Sequence, residues 1–329
     1  MSRGNHRAHI GRSFLERWDG YWFCPEPVIG LALFRICFGV SALLYHVPRL
    51  PYVPAFYTNS GFLWPLQPAP WLKVVVPLSP FIAYALSIFL IICLAAVTIG
   101  YRTRSAALIA FVIHSYLSLL ESFATNSIRR VIAIYLFLLV FSRAGAYFSW
   151  EARRRTGSWA SDAVPKSPAA VRRVMVWHLA LLYILNAATK TTYGFREWIR
   201  GETVLWSLQG ITWSQPWASR LALRAEMPVR VLSALGYVGY LLLGPALLWR
   251  KTVTFAIAFG LSWHFVTLVT TTIMPAWLAW VSVFILVPDP GWWEQQWKML
   301  VQWRLPLRRA VIAVLLVAAL VGGALLGRI

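Results

Sequence analysis

Three polar side chains on one predicted helix are spaced so that they could act together. Tyr183, Asn186 and Lys190 fall within roughly 60° of one another around a helix, so they share one face. Lys190 ends an apolar run, residues 174–188, that can sit in a bilayer. An amine in an apolar pocket can act as a base, because burial disfavours its charged form. It can also bind an anion, or serve as an anchor that extends to the lipid headgroups.

Two further polar side chains lie inside predicted membrane spans. Arg35 is costly at that depth unless it has a partner inside the bundle or extends to the near interface. His264 could relay protons or be a hydrogen-bonded core residue. The histidines within the spans lack helical metal-ligand spacing, and Cys24, Cys37 and Cys93 lack a CxxC arrangement. We therefore expect no metal site.

A charged cluster lies between the third and fourth predicted spans. It comprises Glu121, Asn126, Arg129 and Arg130. The cluster can be an anion site or a solvated loop, and the residue types alone leave both interpretations open.

The elements that must position these residues are membrane helices. Of 329 residues, 59% are hydrophobic and 13% are charged, against about 25% charged in globular domains. Apolar stretches near the ~20 residues needed to span a bilayer recur along the chain. The spans are predicted at 28–47, 78–99, 105–121, 130–148, 172–190, 230–249, 253–272, 274–288 and 309–327. The eighth is short and bounded by proline. We predict an all-α polytopic membrane bundle of eight or nine transmembrane helices with an N-terminal interfacial helix.

The predicted organisation has three parts. Residues 1–24 form a cytoplasmic interfacial amphipathic helix, residues 25–290 the transmembrane domain, and residues 291–329 an interfacial linker and a final transmembrane helix. The formal net charge of +20 is explained by basic cytoplasmic loops and anionic lipid, so we expect no nucleic-acid partner. The larger share of basic residues lies on the side of the N-terminus, which predicts a cytoplasmic N-terminus and an outer C-terminus.

Short motifs in this framework resemble one family. The sequence FRICFG at Phe34–Gly39 resembles the first-span FRxxFG pattern of vitamin K-dependent γ-glutamyl carboxylase and its bacterial relatives, the horizontally transferred transmembrane (HTTM) family. Tyr183 followed by Lys190 is similar to the segment that holds the carboxylase's catalytic lysine, and His264 is similar to a late histidine span. The resemblance covers about residues 25–290, with its motifs in the family's order.

The resemblance implies a chemistry and a set of site residues. In the carboxylase, the corresponding lysine deprotonates vitamin K hydroquinone, and oxygen then converts the quinol into a strong base that acts on Glu before CO2 adds. By resemblance, Lys190 and His264 would be catalytic here, and the cofactor would be menaquinone or vitamin K hydroquinone. The residues expected to line the pocket are Arg35, Tyr183, Asn186 and Asn126.

Two classes of function stay open. The first is a quinol-dependent enzyme of a bacterial cytoplasmic membrane, with Lys190 as a base near the outer face. After residue 290 the sequence pattern predicts a linker and one span, whereas the carboxylase has a large lumenal domain there. We therefore expect a substrate other than protein Glu. The second is a non-catalytic membrane protein that matures, exports or neutralises a secreted peptide. A transporter with proton flux is a further alternative.

Overall fold

The computed structural model describes residues 14–61, 76–121, 127–161, 163–210, 214–271 and 278–302. Helices make up most of these ranges, and two three-residue strands, β1 (Pro25–Pro27) and β2 (Lys166–Pro168), pair antiparallel. The helices are α1 Phe14–Trp22, α2 Ile29–His46, α3 Val53–Tyr57, α4 Pro80–Ile99, α5 Thr103–Leu120, α6 Ser127–Val140, α7 Trp150–Thr156, α8 Ala170–Ile199, α9 Glu202–Gln209, α10 Pro216–Arg224, α11 Glu226–Leu248, α12 Val253–Thr270, α13 Leu278–Val283 and α14 Pro290–Gln302.

Within the described ranges, six helical segments are long and apolar enough to cross a membrane. They are Ile29–Tyr57 (α2 with α3), α4, α5, α8, α11 and α12. Large apolar side chains point away from the bundle, including Phe81 at 82% and Phe255 at 69% exposure. Such surfaces are stable against lipid, and helices satisfy their own backbone hydrogen bonds there. The predicted all-α membrane bundle is confirmed.

Helix α4 shows how local sequence sets an element's ends. Ser79 caps its N-terminus by accepting a hydrogen bond from the backbone amide of Ile82, and Pro80 occupies the first turn, where its missing N–H costs nothing. Gly100 ends the helix in the left-handed conformation, with φ of +75°. A side chain at Gly100 would meet Ser149 and the Arg35 guanidinium, so the glycine also permits close packing.

Helix α8 is the element that positions the predicted lysine group. It extends past residue 190 to Ile199, with non-helical geometry at Gly194. The adjacent helix α11 approaches it closely at Gly244, where an added Cβ would meet Ile184 and the carbonyl of Ala180. The close contact places α11 next to the turn of α8 that contains Tyr183.

A cluster of ion pairs joins the segment before the first span to the start of α8. Glu26 on β1 pairs with Arg172 at 2.7 Å and with Arg173 at 2.9 Å. Burial by itself raises the pKa of Glu26, but the hydrogen bonds and charges of the two arginines outweigh it and hold the pKa below its usual range. Arg173 also lies over the ring of Tyr21, and this contact joins α1 to the ion-pair cluster.

Helix α1 leaves its apolar side chains uncovered. Phe14, Leu15 and Trp18 are all exposed. This fits the amphipathic helix predicted within residues 1–24, of which residues 1–13 lie outside the described ranges. Its position in a membrane interface stays a prediction.

Three predicted spans differ from the structure or lie beyond it. The helix in the fourth predicted span, α6, ends at Val140 rather than near residue 148. The chain turns at Phe141–Arg143 and then forms a short 3-10 helix. The eighth span contains only α13 and a 3-10 turn within its described part. The ninth, at 309–327, lies outside the described residues.

Candidate functional site

Tyr183 and His264 form a buried hydrogen-bonded pair between two spans. The Tyr183 hydroxyl on α8 lies 2.5 Å from Nε2 of His264 on α12, and the tautomer of the histidine decides which atom donates. Tyr183 is fully buried and His264 is nearly so. The two residues were predicted separately from sequence, and the fold brings them together.

Lys190 lies farther along the same face of α8. Its Nζ donates a 2.8 Å hydrogen bond to Oδ1 of Asn186, one helical turn earlier. The Nζ atom also lies 4.9 Å from the ring centroids of both Trp198 and Tyr240. Ring faces attract a cation, so the protonated amine is held without a carboxylate. Among the described residues, no ion pair involves Lys190.

Tyr240 on α11 connects the lysine with the buried pair. Its ring centroid is 5.7 Å from that of Tyr183, and its hydroxyl accepts a hydrogen bond from Nε1 of Trp263 at 3.1 Å. We call Tyr183, Asn186, Lys190, Tyr240 and His264 the lysine site. Tyr240 carries no motif of its own, so the sequence analysis missed it.

Aromatic side chains close the buried side of the lysine site. Trp280 and Phe284 pack on both Tyr183 and His264, with ring centroids 6.1 to 6.4 Å apart. The arrangement combines an amine that can exchange a proton, a phenol–imidazole pair that can pass one, and aromatic faces that pack against a flat ring. These are the group types that general acid–base chemistry uses.

Arg35 occupies a different part of the bundle. Its guanidinium donates to the carbonyl oxygens of Val97 and Thr98 at the end of α4, at 2.7 and 2.6 Å. It also donates to the carbonyls of Ala144 at 3.2 Å and Phe148 at 2.6 Å. Arg35 therefore binds the backbone of two segments together, and none of its described contacts reaches the lysine site. Its expected place in the pocket stays a prediction without a described contact to support it.

Two members of the charged cluster near residue 121, Glu121 and Arg129, are buried rather than solvated, whereas Arg130 is exposed. Glu121 pairs with Arg129 and, at 2.6 Å, with Arg49. Its side chain is only 5% exposed. Arg129 Nε also donates to the hydroxyl of Tyr45 at 2.8 Å. Asn126, the remaining predicted pocket residue, lies outside the described residues.

Two histidines extend this cluster into the bundle. His114 Nε2 lies 3.0 Å from the carbonyl oxygen of Arg129, which can only accept, so this nitrogen carries the proton. In a neutral ring Nδ1 then accepts, and His46 Nε2 donates to it across 3.0 Å. His46 was not predicted from the sequence, where it stands at the end of the first span without a motif.

The arrangement of histidine, cysteine and acidic side chains offers no metal site in the described ranges. No group of three or more of these residues comes together there, and Cys24, Cys37 and Cys93 are free thiols.

The fold and the lysine site together define an integral membrane protein of the helical type, with a polar site enclosed between its spans. A family model for the HTTM domain matches residues 23–292, and the chain belongs to that family. None of the curated proteins or solved structures compared with the chain matches it.

Proposed function

We propose that this HTTM protein is a membrane enzyme that takes a quinol of the menaquinone or vitamin K type from the bilayer and accepts its hydroxyl proton on Lys190. The observation that carries the proposal is the Lys190 amine, bound to Asn186 and flanked by the rings of Trp198 and Tyr240. A flat ring with a hydroxyl group matches that combination of aromatic faces and one proton acceptor.

The residues present fit such a ligand. Tyr240 and Trp198 offer ring faces, and Lys190 and Asn186 offer polar atoms at one edge. The outer faces of the adjacent spans are apolar, as in Leu185 on α8 with 61% exposure, so a lipid-soluble molecule can approach from the membrane. When bound, a quinol would supply an acidic hydroxyl and a pair of electrons for a later oxidation.

Each residue of the lysine site has a separate role in the proposed proton transfer. Lys190 Nζ in its neutral form takes up the proton, and Asn186 Oδ1 holds the amine before and after, since it accepts from both forms. The rings of Trp198 and Tyr240 stabilise the resulting ammonium. The hydrogen bond between His264 and Tyr183 fixes the Tyr183 ring beside Tyr240, and the surrounding aromatic groups exclude water.

The proposal includes an orientation. Basic residues concentrate at the bundle end where α2 and α8 begin, which supports a cytoplasmic N-terminus in a bacterial cytoplasmic membrane and contact with anionic lipid. Lys190 lies toward the opposite end of α8. The substrate that uses the activated quinol would therefore approach from the outer side, and a secreted peptide is one such partner.

One observation favours a second candidate function, the non-catalytic handling of a secreted peptide. The short helices α9 and α10 and the start of α11 form a small apolar cluster beside the end of α8, built from Leu205, Leu208, Ala218, Ala222 and Val229. They leave Trp206 and Leu223 exposed at 56% and 67%. A peptide could bind this surface without any need for a base at Lys190.

Quinol oxidation in nanodiscs separates the two functions. Menaquinol is added anaerobically, air is admitted, and the absorbance of the quinone is followed. We expect Lys190→Ala and Lys190→Arg both to abolish the protein-dependent rate, because neither methyl nor guanidinium can accept the proton. The exposed Lys251→Ala serves as the matched control and should behave like wild type. Wild-type protein with no protein-dependent rate would favour peptide handling, and an unchanged rate in Lys190→Arg would rule out Lys190 as the base.

A further inference from the structure

A second polar site lies away from the lysine site, at the start of α5. A cavity of about 510 Å³ opens there between α5, the turn that follows α6, and α7. Its lining includes four arginines, one acid and a buried threonine: Arg102, Arg104, Arg143, Arg155, Glu151 and Thr103.

The charge in this cavity is strongly unbalanced. Among the described residues, none of the four arginines forms an ion pair with a carboxylate. Three of them use one N–H each on a backbone carbonyl: Arg104 on Ser142 at 3.0 Å, Arg143 on Lys166 at 2.9 Å, and Arg155 on Glu151 at 3.3 Å. Their other guanidinium donors stay available for an anion.

The N-terminus of α5 adds backbone donors to the same cavity. The first amides of a helix have no acceptor within it, and the helix dipole places partial positive charge at that end. Arg102 occupies the capping position in the left-handed conformation, with φ of 41°, and its side chain makes no capping hydrogen bond. The first residue of the helix, Thr103, lines the cavity.

Thr103 supplies an independent indication of a ligand. Its side chain is buried, with 3% exposure, and its hydroxyl oxygen has no hydrogen-bond partner among the described residues. A buried hydroxyl without a partner costs free energy, and such groups are rare in folded proteins. Gly145 borders it on the cavity wall, where a Cβ would collide with the Thr103 hydroxyl. Gly145 therefore lets the backbone of the turn pack closely against Thr103 at the cavity wall.

We propose that this cavity binds a phosphate-bearing anion. Guanidinium groups match phosphate oxygens in pairs, and uncapped helix N-termini bind the same group. The phosphate can belong to the headgroup of an anionic phospholipid or to a soluble phosphate compound, and both present the same oxygens to the site. The lysine site shares no residue with this cavity, so failure of one proposal leaves the other unaffected.

Binding to the purified full-length protein in neutral detergent tests the proposal in two arms. The first arm titrates inorganic phosphate at constant ionic strength. The second adds phosphatidylglycerol to the micelles, with phosphatidylcholine for comparison. Arg155→Gln and Thr103→Val are compared with Arg154→Gln, which removes the same charge from the adjacent position of α7 but lies outside the cavity lining. A thermal unfolding curve confirms that each variant is folded.

The expected result is binding in at least one arm, weakened about tenfold by Arg155→Gln and by Thr103→Val, and changed less than about twofold by Arg154→Gln. Binding of inorganic phosphate alone identifies a soluble source, and binding of phosphatidylglycerol alone identifies a lipid headgroup. Absence of binding in both arms overturns the proposal. Equal weakening by Arg154→Gln and Arg155→Gln also overturns it, because it indicates diffuse attraction to a basic surface.

Discussion

Replacing Arg35 with lysine should destabilise the bundle although the charge is kept. The Arg35 guanidinium reaches two segments at once, because one terminal nitrogen serves Val97 and Thr98 while Nε and the other terminal nitrogen serve Ala144 and Phe148. A lysine amine is a single point and can replace only the first of these functions.

The size of the effect follows from the bonds that lysine cannot make. The carbonyls of Ala144 and Phe148 lose their charged donor, and each such bond contributes about 1.5–3 kcal/mol. The expected loss in the free energy of unfolding is therefore roughly 3–6 kcal/mol, a large part of the ~5–15 kcal/mol that typically stabilises a protein. The loss should concentrate at residues 144–148, where Phe148 has φ of 47°.

Denaturant titration in detergent, read by tryptophan fluorescence, measures the loss. Hydrogen exchange detected by mass spectrometry locates it. The control is Arg130→Lys, since Arg130 is exposed, and it should change stability by less than about 0.5 kcal/mol. If Arg35→Lys unfolds like this control, or if amides at 144–148 exchange at the wild-type rate, the structural role assigned to Arg35 is wrong.

Three further predictions concern stability. Gly100→Ala should destabilise by about 1–3 kcal/mol in a thermal melt, because its backbone is left-handed and a Cβ would meet Arg35; a wild-type melting temperature would contradict this. Glu26→Gln should cost about 2 kcal/mol at neutral pH, below the ~3–5 kcal/mol of a fully buried pair. Because the folded pKa of Glu26 is lowered, this contribution is complete above its unfolded value of about 4.3 and disappears as the pH falls through the folded value, so wild type and variant should converge in acid denaturation. Glu121→Gln should cost about 3–5 kcal/mol, and Arg129→Met in the same chain should recover part of it; simple additivity in this double-mutant cycle would rule out the buried pair.

Hydrophobicity and helical spacing were enough to predict the membrane helices and the contacts within one helix. Apolar runs locate α4, α5, α8, α11 and α12 because a membrane helix must be apolar along its length. Fixed angular spacing places Asn186 and Lys190 one turn apart, and the hydrogen bond between them needs no tertiary information.

Partners on other helices could not be predicted in this way. Arg35 binds backbone carbonyls, which every residue carries, so no residue type signals them. Tyr240 belongs to the lysine site because α11 packs against α8, and helical periodicity contains no information about that pairing. The hydrogen bond between Tyr183 and His264 depends on the same kind of packing, between α8 and α12.

Quinone retention measures whether a quinol binds beside Lys190. The protein is purified from cells that make menaquinone, and bound quinone is quantified by mass spectrometry in wild type, Lys190→Ala and the control Lys251→Ala. All three should show the same melting temperature. We expect wild type and Lys251→Ala to retain quinone and Lys190→Ala to retain about tenfold less. A folded wild-type protein that retains no quinone, or a Lys190→Ala variant that retains as much as wild type, would contradict this expectation.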